Sequence, residues 1–214
     1  MSATALVQAA WGDLVRRYAQ VGAAADAVLS ELVRAYSEPH RHYHTLDHIA
    51  ALLQLLKQHG AAAADGDAIR LAILLHDAIY DPARADNEAA SAALAQRHLA
   101  GLGFPRPLIA EVERFILATR HGPDTELAVP DADLALLLDL DLAVLAAPWA
   151  DYRAYAQAIR REYALYPDEV YRPGRRRVLE GFLARERLYL TSHLQALWEA
   201  PARANLAREI AEPT

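Results

Sequence analysis

Three short segments of this chain carry side chains that could do chemistry together. His76-Asp77 closes the apolar run IRLAILL. A carboxylate at the end of so apolar a segment needs compensation, because an unpartnered buried charge costs several kcal/mol. A divalent cation compensates it well, and adjacent His and Asp offer that cation one nitrogen and one oxygen. In RHYHTLDHI, residues 41–49, His44 and His48 stand four apart and share a side if the helix begins by His44. Two imidazoles so spaced can both bind metal, or one can bind metal while the other handles protons. In LLLDLDLAVL, residues 136–145, Asp139 and Asp141 interrupt a greasy run. One can face a cation while the other accepts a hydrogen bond or meets water. Taken singly, each segment also has a plainer reading: an HD pair exposed at a helix end, a His-rich surface, and aspartates that cap helices or pair with arginines.

Together the segments supply two histidines and two aspartates in the order H…HD…D. With RHYHTLDHI, LLHDAIYDP, DNEAASA and LLDLDLAVL in that order, the chain from about Arg41 to Leu145 resembles the HD superfamily of metal-dependent phosphohydrolases, and within it a bacterial subgroup. The resemblance implies an all-α HD-domain helical bundle with additional C-terminal helices. It implies His48 as first metal ligand, His76-Asp77 as the central pair and Asp141 as the last ligand, with Asp139 the runner-up. Asp141 is preferred because HD proteins often carry Asp-x-Asp here, with the second carboxylate resembling the ligand. YHTLDH is also similar to the YHN-type segment of cyclic-nucleotide phosphodiesterases, which makes His44 a candidate general acid beside Asp77. Those enzymes continue with a second His and Asp after the pair, whereas this chain reads HDAIYD, with Tyr80 and Asp81 nearby. The extra imidazole available to a second metal is His121, in ATRHG.

Two imidazoles and two carboxylates suit a divalent ion such as Mn²⁺, Fe²⁺, Co²⁺ or Mg²⁺, with Zn²⁺ and Ni²⁺ also compatible. Phosphate needs cationic clamps as well. Arg41 is the first candidate, with Arg120, Arg160 and Arg161, and the cluster Arg172, Arg175, Arg176 and Arg177 is a second basic patch. Tyr80, Asn87 and Glu88 follow the HD pair and are candidates for substrate contact. Asp86 and Ser91 are candidates to orient ligands, the plainer reading being that Asp86 caps the next helix. Tyr152, Tyr155, Tyr163 and Tyr166 could stack on a base or belong to the core. The expected activity is hydrolysis of a small phosphoester, with nucleotides the leading class. A metal-binding sensor without turnover and a di-iron oxygenase are the other readings.

Helices must position all of this. Leu6 to Tyr18 and Val28 to Tyr36 repeat apolar residues at helical spacing, and Pro39 closes the pair. A third helix, with Ile49, Leu52, Leu53 and Leu56 on its apolar face, ends at Gly60. A fourth is expected over about 67–79, a fifth from an Asp86 cap to about Ala100, and a sixth over about 107–119. His121-Gly-Pro opens a polar linker. Helices over 134–145 and 149–163 follow, then two or three more from about Arg175.

The bulk composition agrees with that outline. The 214 residues suit a single domain, 1–214, with its metal-site core at about 41–145, since one core serves up to roughly 250 residues. Alanine and leucine dominate a chain that is 54% hydrophobic and 23% charged, which favours helix over strand. A net charge of −6 gives no field to draw in extended nucleic acid or an anionic membrane. The absence of cysteine excludes disulfides and thiolate sites, so a metal must sit on His, Asp or Glu. Asp13, Arg16 and Arg17 interrupt the N-terminal segment early, unlike a signal peptide, and a cytoplasmic protein is expected. Oligomeric state is open.

Overall fold

The computed structural model describes residues 1–19, 21–120 and 131–212, and among these it contains α-helices, two short 3₁₀ turns and no strand. The chain is all-α. It forms two compact units, Met1–Arg120 and His121–Thr214. The division falls at the polar segment opened by His121-Gly-Pro.

The first unit contains α1 (Ala3–Tyr18), α2 (Ala23–Ala35), α3 (Leu46–His59), α4 (Gly66–Leu75), α5 (Asn87–Gly101) and α6 (Arg106–Ala118). Its centre is α4, whose residues Ala68, Ile69 and 71–75 are at most 1% exposed. This helix packs on α1, α3, α5 and α6, which accounts for its nearly continuous apolar run. Asp65 starts it, its carboxylate accepting from the backbone N–H groups of Asp67 and Ala68 at 3.2 and 2.9 Å. The helix ends earlier than its apolar pattern predicts. His76 N still donates to Ala72 O at 2.8 Å, but Ala78 N turns back to Leu75 O at 3.2 Å and the chain leaves the helix there. After α5, Gly103 takes the left-handed conformation (φ 82°), letting Phe104 N reach back to Leu99 O at 3.0 Å and close the helix end.

The second unit contains α7 (Ala132–Asp141), α8 (Trp149–Glu162), α9 (Asp168–Ala184) and α10 (Ser192–Ala211), with a 3₁₀ turn at Leu142–Ala146 after α7. Asp131 caps α7 by accepting from Leu134 N at 2.9 Å. The 3₁₀ turn packs against α7, α8 and α10. Leu142, Leu145, Tyr152, Leu179, Phe182, Tyr189 and Leu206 form one buried cluster. Asn205 donates to both Leu145 O and Ala147 O at 2.8 Å, serving carbonyls that a tightened helix end leaves over. Helix α9 begins at Asp168, earlier than the expected start near Arg175, with Asp168 and Glu169 in its first turn where the helix dipole favours acids. The arginines of the basic patch therefore lie beyond its N-terminus. Among the described residues, no helix is long and apolar enough to cross a membrane.

Candidate metal centre

Within the first unit, α3 and α4 bring together the pair and the first histidine that the spacing singles out. His48 stands in the first turn of α3, while His76 and Asp77 follow the last turn of α4. Asp77 Oδ2 lies 3.0 Å from His76 Nε2 and 3.9 Å from His48 Nε2. The rings of His48 and His76 meet edge to face with centroids 5.5 Å apart, and a nitrogen of each lies within 4.8 Å of a nitrogen of the other. The imidazole side chains are 4% and 3% exposed, the carboxylate 17%. The cluster joins two enclosed imidazoles to a carboxylate nearer the solvent, the donor types that divalent metal ions take.

The hydrogen bonding of His76 fixes what it offers. Its Nδ1 lies 3.0 Å from the carbonyl oxygen of Ile73. A carbonyl only accepts, so Nδ1 carries the proton and Nε2 presents either a lone pair or a second proton. A lone pair held 3.0 Å from a carboxylate oxygen is repelled by it. A proton shared between the two groups, or a cation bound to both, removes that repulsion. Backbone orientation of an imidazole from behind is a common device at metal sites.

His44 lies just outside α3. Thr45 takes the cap position, accepting from Asp47 N at 3.3 Å, and the helix starts at Leu46. The shared helical face expected for His44 and His48 therefore does not form, but the loop brings the rings near each other, with centroids 5.9 Å apart. His44 stacks on Tyr80 at 4.2 Å. Tyr43, which sequence reading passed over, lies 4.8 Å from the His48 ring and 5.0 Å from that of His44. His40 was also missed. Its Nε2 is 3.0 Å from Tyr80 O, and its ring is nearly parallel to that of Tyr80 at 6.5 Å. The density of histidine and tyrosine between residues 36 and 48 was the available signal.

Helix α5 secures the segment after the HD pair. The buried Ser91 hydroxyl accepts from Ile79 N at 3.0 Å and donates to Ile79 O at 3.2 Å. One turn earlier, Asn87 Oδ1 accepts from Asp81 N at 3.1 Å and Asn87 Nδ2 donates to Asp81 O at 2.9 Å. Asn87 and Ser91 thus act on the backbone leading away from the pair. Glu88 is half-buried in the first turn of the same helix. Asp86 precedes α5 but makes no capping bond, because its carboxylate is paired with Arg84 in two 2.9 Å contacts.

The arginines are more engaged than their sequence positions suggest. Arg41, expected to grip phosphate, has a side chain with no exposure and donates to Glu38, His44 O, Asp77 O and Ala78 O. In the second unit, Arg160 donates to Asp168, Tyr163 O and Tyr166 O and lies over the Tyr171 ring. It braces the end of α8 against the start of α9. Arg175 makes a two-pronged ion pair with Glu209 at 2.8 and 3.0 Å, while Arg172 and Arg176 pair on the surface with Asp168 and Glu180. Arg120 and Arg161 are exposed.

Asp139 and Asp141 of α7 differ sharply. Asp139 is 1% exposed and accepts from Leu190 N, Thr191 N and Thr191 Oγ1 at 2.6, 2.7 and 2.6 Å. Burial pushes its carboxyl up, and the hydrogen bonds from Thr191 and Leu190 act against that shift. Asp139 therefore anchors the chain entering α10. Asp141, two residues on, is half-buried at the end of α7. Of the tyrosines considered for base stacking, Tyr152 is fully buried and donates its hydroxyl to Glu209. Burial raises the phenols of Tyr152 and Tyr189 far above their ordinary range and pushes Tyr171 up to about 12. His121 lies outside the described residues. Comparison with protein-family models, with curated proteins and with solved structures found no match.

Proposed function

We propose that this chain is a metal-dependent phosphohydrolase acting on a small phosphoester, with nucleotides the leading substrate class. One observation carries the reading. His76 is locked with its proton on Nδ1, and its Nε2 converges with the Asp77 carboxylate and with His48 in a largely enclosed place. A divalent cation satisfies all three donors at once.

His48, His76 and Asp77 are the proposed ligands, and Asp141 is the further carboxylate that the H…HD…D resemblance adds. Asp141 is chosen over Asp139 on the H…HD…D order, and because Asp139 is already committed to Leu190 and Thr191. A bound divalent ion supplies Lewis acidity to a phosphoryl oxygen and makes bound water more acidic. His44 is the proton donor to the leaving oxygen, a task imidazole performs well near neutral pH. Tyr80 supports it, since their stacked rings hold the His44 imidazole beside the cluster.

The test is metal analysis of the purified protein, then a phosphate-release screen over nucleotides with Asp77→Ala as control. The expected outcome is a bound divalent metal and phosphate release that Asp77→Ala abolishes. Equal activity of wild type and variant would overturn the reading. Metal retained with no turnover on any phosphoester would move the chain to a sensor, and oxidation requiring iron and oxygen would move it to an oxygenase.

A further inference from the structure

We propose that Arg41 is a positioning residue that holds the His44 loop and the His76-Asp77 turn in one fixed arrangement. Its guanidinium bridges two stretches of backbone that no helix secures. Nη1 donates to His44 O at 3.3 Å and to Asp77 O at 2.6 Å, and Nη2 donates to Ala78 O at 3.2 Å. His44 precedes α3, and Asp77 and Ala78 follow α4, so these three carbonyls lie outside the helical ladders. Nε binds Glu38 at 2.9 Å, and the planar group sits between the rings of Tyr36 and Tyr80, with centroids 5.2 and 5.4 Å away.

Each contact bears on the cluster. The Asp77 carbonyl belongs to the residue whose carboxylate meets both histidines. The His44 carbonyl belongs to the ring stacked on Tyr80, and Tyr80 also meets the guanidinium. A cation beyond the last turn of α4 also suits the negative end of that helix. Only a guanidinium presents enough donors in one plane to reach all four acceptors, and lysine reaches fewer with a single nitrogen. A phosphate would have to strip these partners from a side chain with no exposure. Arg41 therefore acts through its neighbours.

This inference rests on the proposed metal centre for its functional half alone, and the test separates the two. Full-length wild type, Arg41→Met and Arg41→Lys are compared by amide hydrogen exchange without metal, and by Co²⁺ titration followed through its visible absorption. Segments 42–46 and 76–81 should exchange about tenfold faster or more in Arg41→Met, and less so in Arg41→Lys, with α1 and α6 unchanged. Co²⁺ affinity should fall about tenfold or more in Arg41→Met, the range for outer groups that orient ligands, with altered bands and partial recovery in Arg41→Lys. Wild-type exchange in both segments would overturn the proposal, as would a uniform loss of protection across the first unit in both variants. Unchanged Co²⁺ affinity and bands in Arg41→Met would remove the functional half while the metal reading stands. If wild type takes up no Co²⁺, the metal reading fails and hydrogen exchange alone decides the case for Arg41. Should Arg41→Met not fold, Arg41→Lys carries both measurements.

Discussion

Asp139 and Asp141 stand two residues apart, and replacing them should produce opposite losses. Asp139→Ala strands the backbone N–H groups of Leu190 and Thr191, while the Thr191 hydroxyl can turn to another acceptor. Each stranded donor costs about 1–3 kcal/mol. Both donors are only partly enclosed, and removing a carboxylate that burial disfavours returns some of the loss. The net cost should be about 2–3 kcal/mol. With a urea slope of about 1–3 kcal/mol per molar, the midpoint should fall by roughly 1–2 M. Trp198 reports on this region directly, because its ring contacts Tyr189 at 5.5 Å, beside the Leu190 and Thr191 donors. Tryptophan fluorescence through a urea titration, to which Trp11 and Trp149 also contribute, is the assay. Asp141→Asn should unfold within about 1 kcal/mol of wild type, as for ordinary part-exposed substitutions, yet lose bound metal. The reasoning fails if Asp139→Ala unfolds at the wild-type midpoint. It also fails if Asp139→Asn abolishes metal binding while Asp141→Asn leaves it intact.

The second unit should be sensitive to alkali. Tyr152 and Tyr189 keep their protons in the fold well above the ordinary value of 10. The unfolded chain therefore loses protons that the native state retains, and stability that is complete below that value falls as pH rises above it. The slope should be about 1.4 kcal/mol per pH unit for each buried phenol. Urea midpoints measured from about pH 9 to about pH 11 should show it, and Tyr189→Phe should flatten the slope by one phenol's share. Glu209→Gln breaks the Arg175 ion pair at a position 4% exposed and should destabilise by about 3 kcal/mol in denaturant titration. Arg175→Met added to Glu209→Gln should recover part of that loss, because it removes the charge left alone while the amide oxygen still accepts from the Tyr152 hydroxyl. Ser91→Ala should cost about 1 kcal/mol of thermal stability, the stranded Ile79 N–H being partly offset by the better helix propensity of alanine. Its helical circular dichroism should not change.

Much of the outline was legible from local pattern. The alanine- and leucine-rich periodicity marked the helices, and Gly60 and the residues after Ala100 marked ends that local rules place well. What local pattern missed was decided across space. The end of α4 follows from Arg41 and Ser91 drawing on the backbone of Asp77, Ala78 and Ile79, from positions 36, 37 and 12 residues away in sequence. The roles of Asp139 and Asp141 could not be separated by spacing, because the partners of Asp139 lie 51 and 52 residues downstream. The arginines were visible as charges, but Arg41, Arg160 and Arg175 face carbonyls, carboxylates and rings that no single segment reveals.

The contacts of Asn87 and Ser91 make the segment after the HD pair an unusual piece of an all-helical chain. Ile79 and Asp81, alternate residues, each exchange a donor and an acceptor with one partner, which is how two antiparallel strands pair in a β-ladder. Here the opposing strand is replaced by two side chains one helical turn apart. Both must keep a donor and an acceptor, so exchanging Asn87 for Asp, an amide nitrogen for an oxygen, removes the rung to Asp81 O while the one from Asp81 N can remain.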